Sequence, residues 1–124
     1  MQKLTLLALA GAIGTLALFG AVNAAARLFG LEFPWGTVVV NLLGCFLFGL
    51  VLTLSRERGI IDANSSQLIL VGFMGAFTTF SSYVSDIVGL GSAGRLGPAL
   101  FDVAFQNVGG IACFLGGAAL GRLA

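Results

Sequence analysis

Thr37, Asn41, Gly44 and Phe48 stand four, three and four residues apart within an apolar run. On a helix that spacing puts them on one face. Asn41 is the member with chemistry to offer, because an amide surrounded by hydrocarbon must find hydrogen-bond partners. It can tie two helices together, or its N–H groups can line a route for an ion; the residues alone leave both readings open. A second group lies in the run Gly72-Phe73-Met74-Gly75-Ala76-Phe77-Thr78-Thr79-Phe80-Ser81-Ser82-Tyr83. Glycine and β-branched threonine weaken a helix, and irregular backbone at membrane depth survives only when buried in protein or lining a cavity. A break here would free carbonyl oxygens, which suit a hard cation. The alternative is a glycine-rich packing helix whose hydroxyls bond back to the preceding turn.

Phe80 and Tyr83 are three apart and share a face beyond the expected break. An aromatic ring has a positive edge, which a small anion can approach. The hydroxyls of Thr37, Ser81 and Tyr83 and the Asn41 amide add neutral donors. No Lys or Arg falls near the middle of any apolar stretch. An anion route would thus use weak donors that let the ion leave as well as arrive. Asp86 is a further candidate, since intramembrane carboxylates are functional by default, although it sits late enough to reach the interface. Gln106 and Asn107 lie ~100° apart on a helix, so one is expected to face a pore and the other to bond a neighbouring helix. The chain has no His and five carboxylates, too little acid–base equipment for an enzyme. Cys45 and Cys113 lack metal-ligand or redox spacing and read as small packing residues.

These residues need a scaffold, and composition says which. Of 124 residues 58% are hydrophobic and 9% charged, and the mean hydropathy is +1.06. A soluble domain carries about 25% charged residues, so lipid is the expected solvent. The formal net charge of +1 suggests no nucleic-acid partner. A spanning helix needs ~20 apolar residues, and four stretches qualify: about 4–28, 35–54, 67–90 and 98–120. The first is too long for a cleaved signal's ~7–15-residue apolar region. Pro34 suits the opening of the second, and Asp62, Asn64 and Ser65 are capping candidates before the third. The expected architecture is a single-domain, all-α membrane protein of four transmembrane helices, the third broken near its middle. With the N-terminus inside, Lys3, Arg56, Arg58 and Arg122 fall on one side and Arg27 and Arg95 on the other. That bias is weak, so insertion in both orientations is expected. Glycines on several helices, including the Gly117-x-x-x-Gly121 pair, suggest close helix approach and oligomerisation through small faces.

The two motif stretches, Phe33-Pro34-Trp35-Gly36-Thr37-Val38-Val39-Val40-Asn41-Leu42-Leu43-Gly44 and Gly72 to Tyr83, carry a resemblance. The chain resembles the CrcB/Fluc fluoride channels along nearly its whole length. The resemblance implies an antiparallel dual-topology homodimer with two fluoride pathways. It implies that Asn41 is the pore asparagine, that Phe80 and Tyr83 take the two aromatic places, and that Thr37 and Ser81 belong to a polar track. It also implies a central sodium ion, structural and not transported, held by the main-chain carbonyls of Gly75 and Thr78 from both subunits. The chain departs from that pattern at Leu18, where the family commonly has Arg, at Tyr83, commonly Phe, and at Asp86, commonly Glu.

The expected function is passive export of cytoplasmic fluoride through a bacterial inner membrane, relieving fluoride toxicity. One alternative is a small dual-topology proton-coupled exporter, which usually depends on a carboxylate in its first helix; residues 4–28 contain none. Another is one subunit of a heterodimeric fluoride channel. A third is a non-transporting structural subunit, which leaves the polar stretch beside stacked aromatics unexplained.

Overall fold

The computed structural model describes residues 1–124, all of them helical apart from short links. Helix α1 spans Gln2–Phe29 and α2 spans Trp35–Arg56. The third apolar span, Ala63–Ser92, is composite. It runs through α3 (Ala63–Gln67), a π-helical turn (Leu68–Phe73), α4 (Met74–Phe77) and α5 (Phe80–Ser92). Helix α6 spans Leu96–Leu123. Four of these spans are long and apolar enough to cross a membrane. Their outer faces carry Leu16, Phe19, Leu100, Val108 and Ile111, all exposed, as expected where acyl chains replace water.

Local chemistry sets the ends. Gly30 takes φ 82° as α1 stops, a left-handed conformation that costs glycine little. Of the three capping candidates before the third span, Asp62 is the cap: its Oδ1 accepts from the N–H groups of Asn64 at 2.9 Å and Ser65 at 3.1 Å. Gly94, at φ 73°, turns the chain into α6. At one end of the bundle Arg122 donates to Glu57 through Nε at 2.9 Å and Nη2 at 3.2 Å. At the other, Arg95 donates to the Glu32 carbonyl at 2.6 Å.

Helices α2 and α6 make the closest pair, and glycine is the reason. A Cβ on Gly49 would run into the Phe114 carbonyl, and one on Gly117 into the Phe46 carbonyl. Gly121 faces Thr53, where a Cβ would come within 3.0 Å. The Gly117-x-x-x-Gly121 face expected to drive oligomerisation is instead packed within the chain, against α2. On the other side of α2, Val40, Met74 and Phe77 form the buried centre, with Ala17, Leu18 and Val22 packed around them. Leu18 thus belongs to apolar packing, which accounts for its lack of charge.

Candidate functional site

The interruption of the third span organises the polar residues. Thr78 (φ −94°, ψ 157°) and Thr79 (φ −145°, ψ 108°) are extended between α4 and α5. Across residues 63–92 the axis bends by 23°. In an unbroken helix the Thr79 N–H would donate to the Gly75 carbonyl. Here it donates to Asn41 Oδ1 at 2.9 Å. The Ser82 N–H, which would serve the Thr78 carbonyl, donates to Thr79 Oγ1 at 3.2 Å and so caps α5. Thr78 fits here because Gly44 has no side chain: a Cβ on Gly44 would collide with Thr78 Cγ2.

Asn41 is saturated. Its Oδ1 accepts from the Thr79 N–H, while Nδ2 donates to the Thr79 carbonyl at 3.1 Å and to Gln106 Oε1 at 2.8 Å. The backbone N–H can only donate, so the amide's orientation is fixed. That in turn fixes Gln106, whose Nε2 donates to Asp102 Oδ1 at 2.9 Å. A directed chain of donors therefore runs from Thr79 through Asn41 and Gln106 to Asp102. Asp102 is 0% exposed, and its Oδ2 has no hydrogen-bond partner.

The remaining candidates lie around this chain. Thr37, one turn from Asn41 on α2, donates to Asp86 Oδ2 at 2.6 Å. The two residues line a cavity of about 460 Å³ with Glu32, Trp35 and Arg95. Asp86 thus turns inward to α2. Asn41, Gly44, Thr78, Thr79 and Phe80 line a second cavity of about 260 Å³, closed on α6 by Phe114. Phe80 is 76% exposed, and its ring centroid lies 5.7 Å from that of Tyr83. The Tyr83 hydroxyl accepts from Asn107 Nδ2 at 2.8 Å, leaving its own hydrogen free to donate. Ser81 is exposed, 3.3 Å from the Thr79 hydroxyl. Gly75 is exposed too, with nothing within 4 Å of the place a Cβ would take. Within the chain, Gln106 and Asn107 both make interhelical bonds.

Sequence reasoning missed Asp102 and the structural role of Thr79. A signal for Asp102 was present: it is the one carboxylate inside the fourth span, placed four residues before Gln106.

A family model described as CrcB-like protein, Camphor Resistance (CrcB), matches residues 5–118. The chain is 46% identical over 123 residues to a protein of Solidesulfovibrio magneticus named fluoride-specific ion channel FluC, covering 99% of this chain and 98% of that one. It is 42% identical to the protein of the same name from Maridesulfovibrio salexigens, again over 99% and 98%. The similarly named protein of Agrobacterium fabrum is 38% identical over 98% of each chain. With four apolar spans and a match along nearly its whole length, this chain is a multi-pass membrane protein that belongs to the CrcB-like family.

Proposed function

We propose that two antiparallel copies of this chain form a fluoride-selective channel that lets cytoplasmic fluoride leave passively across a bacterial inner membrane. One observation carries this reading: Phe80, which lines the Asn41 cavity, is exposed, as are Ser81 and Gly75, on a surface rich in exposed leucine, valine and phenylalanine. That strip holds ring edges and hydroxyls but no cation. A second copy laid against it would bury the strip and enclose a route. The names borne by full-length relatives support fluoride as the ion.

In this reading Thr37, Asn41, Ser81, Phe80 and Tyr83 line the pathway. Ring edges and hydroxyls attract a small anion without the deep well that a fixed positive charge would create. Asn41 has no idle hydrogen, so an ion at this point takes the hydrogen now given to Gln106 Oε1. That exchange replaces one acceptor with another and leaves the Thr79 pair intact. The carbonyls of Gly75 and Thr78 suit a sodium ion, because the N–H groups that would serve them in a helix are committed elsewhere. One copy supplies a pair of oxygens and a second copy doubles it. The ion would then fix the two broken spans against each other and stay in place.

The test is efflux from liposomes holding only this protein, with fluoride and chloride followed by ion-selective electrodes. Fast fluoride efflux with chloride retained is expected. Efflux of both ions, or of neither from a folded dimer, overturns a selective homomeric channel; in the second case addition of a different family subunit becomes the next experiment.

A further inference from the structure

We propose that Asp102 is held as the neutral acid in the folded channel and acts as a positioning residue whose ionisation shuts the conducting strip. This rests on the channel reading above. Three observations support it. The carboxyl is fully buried at membrane depth. Its Oδ1 receives the end of the Thr79–Asn41–Gln106 donor chain. Its Oδ2 is buried with no donor facing it.

A carboxylate there would keep one charged oxygen unsolvated, which costs far more than an idle hydroxyl. No cation compensates it. On α5 the titratable groups are Tyr83, whose hydroxyl is bonded to Asn107, and Asp86, whose carboxyl accepts from Thr37; neither brings a positive charge. On α2 they are Cys45 and Arg56, and Arg56 lies at the far end of its helix. Just before α6 Arg95 lies two turns away and donates to the Glu32 carbonyl; on α6 itself Arg122 pairs with Glu57, and Cys113 lies three turns on. The acid therefore keeps its proton, Oδ1 remains a carbonyl acceptor for Gln106, and Oδ2 carries the hydrogen.

Ionisation would release that proton to bulk water and put a negative charge one side chain away from Asn41. The carboxylate would grip Gln106 Nε2 harder, and its charge would repel an anion arriving at the Asn41 amide. The neutral form conducts and the ionised form does not.

The protonation state is read without any flux, by infrared difference spectroscopy of the protein in liposomes near neutral pH. The carbonyl stretch of a protonated carboxylic acid, shifting in D2O, is expected in the wild type and in Asp86→Asn, and is expected to vanish in Asp102→Asn. A band that is absent from the wild type, or that survives Asp102→Asn, overturns the assignment. Flux is then read between about pH 6 and about pH 9, since buried carboxyls can titrate that high. Wild-type fluoride efflux is expected to fall about tenfold per pH unit once the acid ionises. Asp102→Asn, which keeps the acceptor for Gln106 and cannot ionise, is expected to lose that slope. Equal slopes in the two proteins overturn the control. Absence of efflux at every pH would instead count against the channel reading, while the infrared band still decides the protonation state.

Discussion

Asn41 has spent every hydrogen-bonding group it owns, and this makes it sensitive to a change of one atom. Asn41→Asp keeps the shape but removes both donors, leaving the Thr79 carbonyl and Gln106 Oε1 opposite an acceptor. Each buried group left unpaired costs on the order of 1–3 kcal/mol, and a charge adds repulsion toward an anion. Fluoride efflux is expected to disappear; unchanged efflux would mean that Asn41 is only interhelical glue. Phe80→Ile removes a ring edge while nearly preserving volume. It is expected to lose most efflux with the dimer intact by size-exclusion chromatography. Normal efflux from that variant would sink the ring-edge mechanism. The sequence put Asn41 and the polar run side by side as candidates. It could not show that Thr79 is Asn41's partner, because the two are 38 positions apart and on different spans. Asp102 carried a signal, a carboxylate inside an apolar span four residues before Gln106, but only its burial and its bond to Gln106 show that it ends the chain of donors from Thr79.

Among the helices, the glycines separate into those that touch backbone and those that touch nothing. Gly117→Ala would drive a methyl into the Phe46 carbonyl. Overpacking of this kind costs typically 1–3 kcal/mol, so a lower melting temperature in detergent is expected. Gly116, its neighbour, has nothing within 4 Å, and Gly116→Ala is expected to melt at the wild-type temperature or above, since alanine is the better helix former. Equal effects from the two would show that the α2–α6 contact is looser than the approach of Gly117 to the Phe46 carbonyl implies. Asp62 offers a pH test at the same scale. The Ser65 side chain, and then the N–H groups of Ser65 and Asn64, hold its carboxyl below the usual carboxylate range. A depressed value in the folded state means the cap stabilises above the ordinary carboxylate range and is lost as pH falls through the folded value. Amide exchange at Asn64 and Ser65 is expected to quicken in that acid window in the wild type and to be fast throughout in Asp62→Ala. Hydrophobic length made the four spans legible, but the helices run up to four residues beyond the apolar stretches because polar ends such as Arg56 and Ala63-Asn64-Ser65 continue them. The π-helical turn at Leu68–Phe73 left no mark in the sequence, since an apolar stretch looks alike at either hydrogen-bond spacing.

At the scale of the whole molecule, the chain by itself buries only 20 of its 124 residues. Lipid can cover the leucines and phenylalanines of α1 and α6. It serves the exposed Ser81 and Gly75 poorly, because polar groups turned to hydrocarbon are costly. Cysteine placed at Gly75 is therefore expected to cross-link to its counterpart in a membrane, with the product seen as a doubled mass on a gel. A monomer-only pattern would leave the strip facing lipid and the proposed assembly without its seam. The glycine pattern did announce tight contacts, but periodicity alone could not say whether the neighbour was another helix of this chain or another chain.

The pairing of Thr79 with Asn41 has one more consequence. Two extended residues deep in a bilayer lack a neighbouring strand, and Asn41 stands in for it: its amide exchanges two hydrogen bonds with one residue, as a rung of a β-ladder does. A side chain thus does the work of a peptide, stitching the third span to the second. The nitrogen of the stitch carries a second hydrogen, given to Gln106, and in the proposed channel only that one is offered to an ion. The rung to Thr79 then holds while the ion passes, and the third span stays sewn to the second.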